Sequence, residues 1–189
     1  MTTSLKYDIV CASARLEALS DTNRVAIACA SAETLFPSYL TLFAETADQL
    51  RSTLDVLWQT GASTAPLDLE KFIEGLRELY PDEDDGYYFD AAVAQNAVGA
   101  VLFAASTALN ATTANVRETT LQVYELAYFL AGGSYDLRDS SLVVQTALRS
   151  IDGSLQLVEE GRVHSIREHS EEAGRELKAI VVAARSALA

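Results

Sequence analysis

Apolar residues recur along this chain at steps of three and four, the period of helices, and no stretch alternates every second residue as a strand does. The longest apolar stretch, residues 91–109, carries no charge at all. As a helix it is roughly 28 Å long at 1.5 Å per residue. A helix apolar on every side belongs inside a bundle, and its many alanines and Gly99 let neighbours approach closely. Gln95 and Asn96 are its polar exceptions, and buried amides need partners.

The flanking segments read as amphipathic helices. Leu5, Ile9, Ala12, Leu16 and Leu19 form a stripe over 5–19. Ser20 or Asp21 caps a second helix over 22–36, and Pro37 predicts a break or kink at Phe36. A short helix over 38–46 turns Tyr39, Leu40 and Phe43 inward, and another from Thr46 or Asp48 to about Gln59 packs Leu50, Leu54, Leu57 and Trp58. Residues 67–80 have the cleanest period: Leu69, Phe72, Ile73, Leu76, Leu79 and Tyr80. Tyr87, Tyr88 and Phe89 pack at the entry to the uncharged helix, with Asp90 as its N-cap.

Beyond it, Thr112 or Thr113 caps a helix over 114–131 that ends at Gly132-Gly133. Asp139 or Ser140 caps a long helix over 141–173, with kinks at Gly153 and Gly161 and an end at Gly174. The tail from Leu177 adds one more helix or fits a second subunit. These segments predict an all-α, single-domain bundle of about seven or eight helices wrapped around 91–109. At 189 residues such a chain buries about 70% of its unfolded surface.

Charge narrows the partners. The net charge is −13, which repels nucleic-acid phosphate and anionic lipid, so neither direct nucleic-acid binding nor membrane attachment is expected. The uncharged stretch has the length of a membrane span, but acidic residues precede it and no Lys or Arg borders it. Cys11 and Cys29 sit in apolar helical surroundings, as free thiols of a reducing compartment do, and no signal peptide is visible. A cytoplasmic location is expected, and a homo-oligomer is compatible with the composition.

The combination Leu16-Glu17-x-Leu19, Ala28-Cys29, Glu33, Phe36-Pro37-x-Tyr39 and Phe43 resembles the YjaG-like family of bacterial proteins, the domain of unknown function 416. Leu54-Asp55-x-x-Trp58, Phe72, Tyr80-Pro81, Ile166-Arg167 and Glu171-Glu172-Ala173-Gly174 extend the resemblance over residues 14 to 180. Where the family carries an acidic residue in the uncharged helix, this chain has Asn96. The resemblance implies an all-helical fold and supplies no activity or catalytic residue.

Candidate chemistry is sparse. Asp82, Glu83, Asp84 and Asp85 precede Gly86, but the EF-hand register puts Pro81 and Ala92 at ligand positions, so the run reads as a solvated acidic turn. With Glu70, Glu74 and Glu78 of the preceding helix it makes an acidic face suited to a basic protein partner. Glu160, His164 and Glu168, spaced by four, share one helical face, yet with only two histidines in the chain no metal is expected. Glu33 and Asp55 lie in buried-looking segments and need Arg24 or Arg51 as partners; Arg51 and Asp55 have the spacing of a helical ion pair.

No phosphate loop, paired-cysteine motif, HExxH or nucleophile elbow occurs, and no cofactor is expected. The expectation is therefore a non-catalytic interaction module with an acidic face. The alternatives are a small-molecule-binding protein or enzyme using Glu33, Asp55 and Asn96 between helices, and a DNA mimic.

Overall fold

The computed structural model describes residues 14–60, 69–81, 88–132 and 141–188. Among these residues a helical turn at 14–17 precedes seven α-helices. These are α1 (Asp21–Leu42), α2 (Ala47–Thr60), α3 (Leu69–Glu78), α4 (Tyr88–Leu109), α5 (Thr113–Leu130), α6 (Leu142–Glu159) and α7 (Ile166–Leu188). A 3-10 turn, Val163–Ser165, joins the last two. No strand occurs among the described residues. Most of the predicted helix over 5–19, with Cys11, lies outside them, as do Asp82–Asp85, Tyr87 and the proposed caps Asp139 and Ser140.

The uncharged helix is central as expected. Val93, Val98, Ala100, Val101, Ala104 and Ala105 of α4 are fully buried. It shares the centre with α1, whose every residue from Val25 to Phe36 is buried. α1 packs against α2, α4, α5, α6 and α7, whereas α4 meets α1, α2, α3 and α5. Both helices are long and apolar enough to cross a membrane by length and composition, and 72% and 56% of their most apolar windows lie buried against protein.

Local signals place several helix starts. The hydroxyls of Ser20 and Thr112 accept from the backbone N–H groups of Asn23 and Asn115, satisfying donors that the first helical turn leaves orphaned. The α6 cap is Ser141, which accepts from Val144 N–H. α4 is already helical at Tyr88, so Asp90 is not its N-cap. Asp90 sits in the first turn and takes a two-pronged bond from Arg185 of α7 at 2.6 and 3.0 Å. Phe89 is buried, but Tyr88 is 78% exposed and meets the Phe129 ring edge-on.

Two predicted breaks fall differently. α1 continues past Pro37 to Leu42, taking in the first part of the predicted helix over 38–46 and leaving Leu40 exposed. Pro37 forfeits one backbone hydrogen bond, a cost of about 3 kcal/mol in an isolated helix. Packing outweighs it: Phe36, Ser38 and Tyr39 on either side are buried. Gly174, predicted to end a helix, lies inside α7 and lets α7 settle onto this same turn. A Cβ at Gly174 would stand 2.9 Å from the Thr34 carbonyl oxygen and 3.0 Å from Pro37 Cγ.

The predicted helix over 141–173 is two helices. Gly161 has φ +74°, a left-handed conformation that glycine adopts freely. Gly161 N–H bonds to Val158 O and Arg162 N–H to Leu157 O, a Schellman closure that ends α6. The apolar seam continues past the break because α6 and α7 both pack on α1. The break also removes the shared face predicted for Glu160, His164 and Glu168. Glu160 caps α6, His164 lies in the 3-10 turn, and Glu168 sits in the first turn of α7.

Candidate functional site: a buried carboxylate beneath an interhelical groove

Glu33 is on α1, four residues after Cys29 and only 2% exposed. Burying an isolated carboxylate at that depth is costly, so it needs close partners. Arg51 of α2 supplies two of them, its Nη1 bonding Oε1 and its Nη2 bonding Oε2 at 3.0 Å. Trp58 Nε1 donates to Oε2 at 2.9 Å. Arg51, Asp55 and Trp58 recur on α2 at steps of four and three, which turns all three toward α1.

Asp55 extends the network to α7. Its Oδ1 accepts from Arg51 Nη2 at 2.9 Å and from Arg167 Nη2 at 2.8 Å. Arg167 Nε donates to Glu171 Oε1 at 3.2 Å and lies 3.9 Å from Glu33 Oε2. Partial burial pushes the Asp55 carboxyl up, but bonds and charge from Arg167 and Arg51 outweigh it and hold the group below its usual range. Burial works against the Arg51 charge, and Glu33 and Asp55 more than offset it. Arg51 Nε is buried without a partner, and the Arg51 guanidinium sits 4.9 Å from the Phe36 ring centroid.

Three helices thus meet in one ionic knot, and a groove of about 390 Å³ opens beside it. Thr22, Val25, Ala26 and Cys29 line it from α1, Leu57 and Trp58 from α2, and Val163, His164 and Arg167 from the α6–α7 side. Its volume falls within the range of small-molecule sites. The lining is mostly aliphatic, and among the described residues its only charged or titratable polar groups are His164 and Arg167 besides the Cys29 thiol. Burial pushes that thiol up to about 12, reinforced by the Glu33 charge, so it stays protonated and is a poor nucleophile near neutral pH.

The sequence-derived candidates separate into three groups. Glu33 and Asp55 come together through Arg51, though spacing pointed only to the Arg51–Asp55 pair. Arg24, the other proposed partner, instead bonds Asp21 and the carbonyls of Leu16, Glu17 and Ala111. Asn96 does not join them: its amide nitrogen bonds Ala92 O on its own helix, and its Oδ1 is buried without a partner. Glu70, Glu74 and Glu78 are exposed on α3. Sequence spacing missed Arg167 and the Trp58–Glu33 bond, because both depend on which helices become neighbours.

A family model described as a protein of unknown function, DUF416, matches residues 12–129. The chain belongs to the DUF416 family. That match takes in Glu33, Arg51, Asp55, Trp58 and Asn96, and stops short of Arg167. A crystal structure of a DUF416 family protein from Shewanella baltica OS155 resembles the fold with a TM-score of 0.74. The two are 18% identical, over 85% of this chain and 93% of the other, a likeness of fold alone. No curated protein matches the chain. DUF416 proteins have no assigned function, so the site itself must suggest one.

Proposed function

We propose that this DUF416 protein is a non-catalytic binding protein that holds a small molecule in the groove between α1, α2 and the start of α7. The observation that carries the reading is the way two groove residues are held from behind. Trp58 is pinned by the buried Glu33, and Arg167 by Asp55 and Glu171. Walls fixed in advance lose little freedom when a ligand arrives, which is what a binding site requires. The protonated Cys29 supports binding rather than thiol chemistry.

Trp58 is the chain's sole tryptophan, so its emission reads the groove without interference. A fragment screen followed by Trp58 emission should find ligands that A26F, which fills the groove from α1, no longer binds. Ligands that bind A26F and the unmodified protein equally would defeat the reading.

A second reading is supported by a different observation. Glu70, Glu74 and Glu78 stand exposed at steps of four on α3, in a chain of net charge −13. With Asp82, Glu83, Asp84 and Asp85 following in sequence, they suit a basic protein partner. Changing those four acids to Ser should abolish salt-sensitive retention on an immobilised lysine-rich peptide; unchanged retention would remove this reading. A cytoplasmic setting belongs to the same proposal, since the buried free thiol of Cys29 fits a reducing compartment.

A further inference from the structure

We infer that the groove takes a small monocarboxylate whose body is planar and apolar. The inference rests on the groove being a binding site and adds the chemical class of its ligand. Its first support is charge. Acids outnumber bases 27 to 14 in this chain, yet among the described residues no Asp or Glu lines the groove, while His164 and Arg167 do.

The second support is the unused edge of Arg167. A guanidinium carries five N–H donors in a fixed plane. Asp55 takes Nη2 and Glu171 takes Nε, whereas Nη1 has no hydrogen bond among the described residues. Arg167 is about half-exposed and lines the groove, so its unpaired nitrogen is the donor left over for an acceptor. One carboxylate oxygen would complete the fork.

The third support is shape. The Arg167 guanidinium carbon lies over the Trp58 ring, 5.9 Å from its centroid, so the donor and the aromatic wall adjoin. Val25, Ala26, Leu57 and Val163 complete the surround with hydrocarbon. A carboxylate on a flat apolar body meets both demands at once. The knot behind the groove also limits the ligand's charge. Glu33, Asp55 and Glu171 against Arg51 and Arg167 leave a formal surplus of one negative charge. A dianion such as a phosphate monoester meets that surplus twice over, so affinity comes from the apolar body and one directional bond.

The test compares phenylacetate, phenylacetamide and phenethylamine, which share a ring and differ in charge. Each is titrated into the unmodified protein while Trp58 emission is followed. Phenylacetate should bind about ten-fold more tightly than the amide, the scale of one charged hydrogen bond. R167K and R167Q should lose most of that preference while Trp58 still responds to all three probes. Equal binding of acid and amide, or tighter binding of the amine, overturns the ligand class and leaves the groove standing as a site. No Trp58 response to any probe defeats both readings. The acid–amide comparison needs no variant, so it decides the matter even where R167Q fails to fold.

Discussion

Trp58 Nε1 donates a hydrogen bond to Glu33 Oε2 at 2.9 Å, so the sole tryptophan is oriented by a carboxylate that water barely reaches. Arg51 completes the ion pair from the same helix as Trp58. E33Q strips the compensating charge from a partly buried Arg51 and should cost on the order of 3 kcal/mol. W58F removes one charge-assisted bond and should cost less, about 1.5–3 kcal/mol. Urea unfolding of the two variants checks the order, and E33Q should also change Trp58 emission in the folded state.

Asp55 ties stability to acid. Its carboxyl titrates below its usual range when folded, so the folded state favours the ionised form. That contribution is complete above the unfolded value of about 3.9 and is lost as pH falls through the lower folded value. Thermal unfolding should show D55N less stable than the unmodified protein at neutral pH, with the gap closing once the pH is well below about 4. A gap that persists unchanged into strong acid would mean that the carboxylate charge is not what stabilises.

Gly174 and Gly153 should respond in opposite ways to the same substitution. A Cβ at Gly174 meets the Thr34 backbone carbonyl, which cannot move without α1 moving too. G174A should therefore destabilise by about 1–3 kcal/mol. A Cβ at Gly153 meets the ring of His169 at 2.6 Å, the far end of a side chain that can swing aside. G153A recovers helix propensity of about 1 kcal/mol, and its net effect should be small or stabilising. Denaturant midpoints of the two variants separate the cases.

Gly161 offers a purely conformational test. At φ +74°, alanine pays the left-handed penalty of about 1–2 kcal/mol with nothing within 4 Å to clash. G161A should lose about that much stability, and G161N less, because asparagine tolerates this region better. Chemical denaturation of both variants measures the difference.

How far the molecule was legible depends on whether a feature is local. The caps at Ser20 and Thr112, the Arg51–Asp55 pair and the buried uncharged helix all follow from neighbours in sequence. Pro37 and Gly174 misled for one shared reason. Each is a poor helix residue in isolation, and they sit against each other where α1 and α7 cross, so packing overrides both preferences. Gly161 reads as a kink in the sequence, yet periodicity alone cannot separate a kinked helix from a hairpin whose two arms face the same neighbour. The groove was illegible because it draws on three separated segments, although two of the acids beneath it, Glu33 and Asp55, stood out as charges in apolar surroundings.

The family match ends at residue 129, while the cover over α1 comes in part from α6 and α7, which follow it. A fragment cut to the matched span would strip those helices from the flank of α1 and leave Asp55 without Arg167. Such a fragment should precipitate or associate on expression rather than stay dispersed. For this protein, the span that the family model matches should be too short to fold by itself.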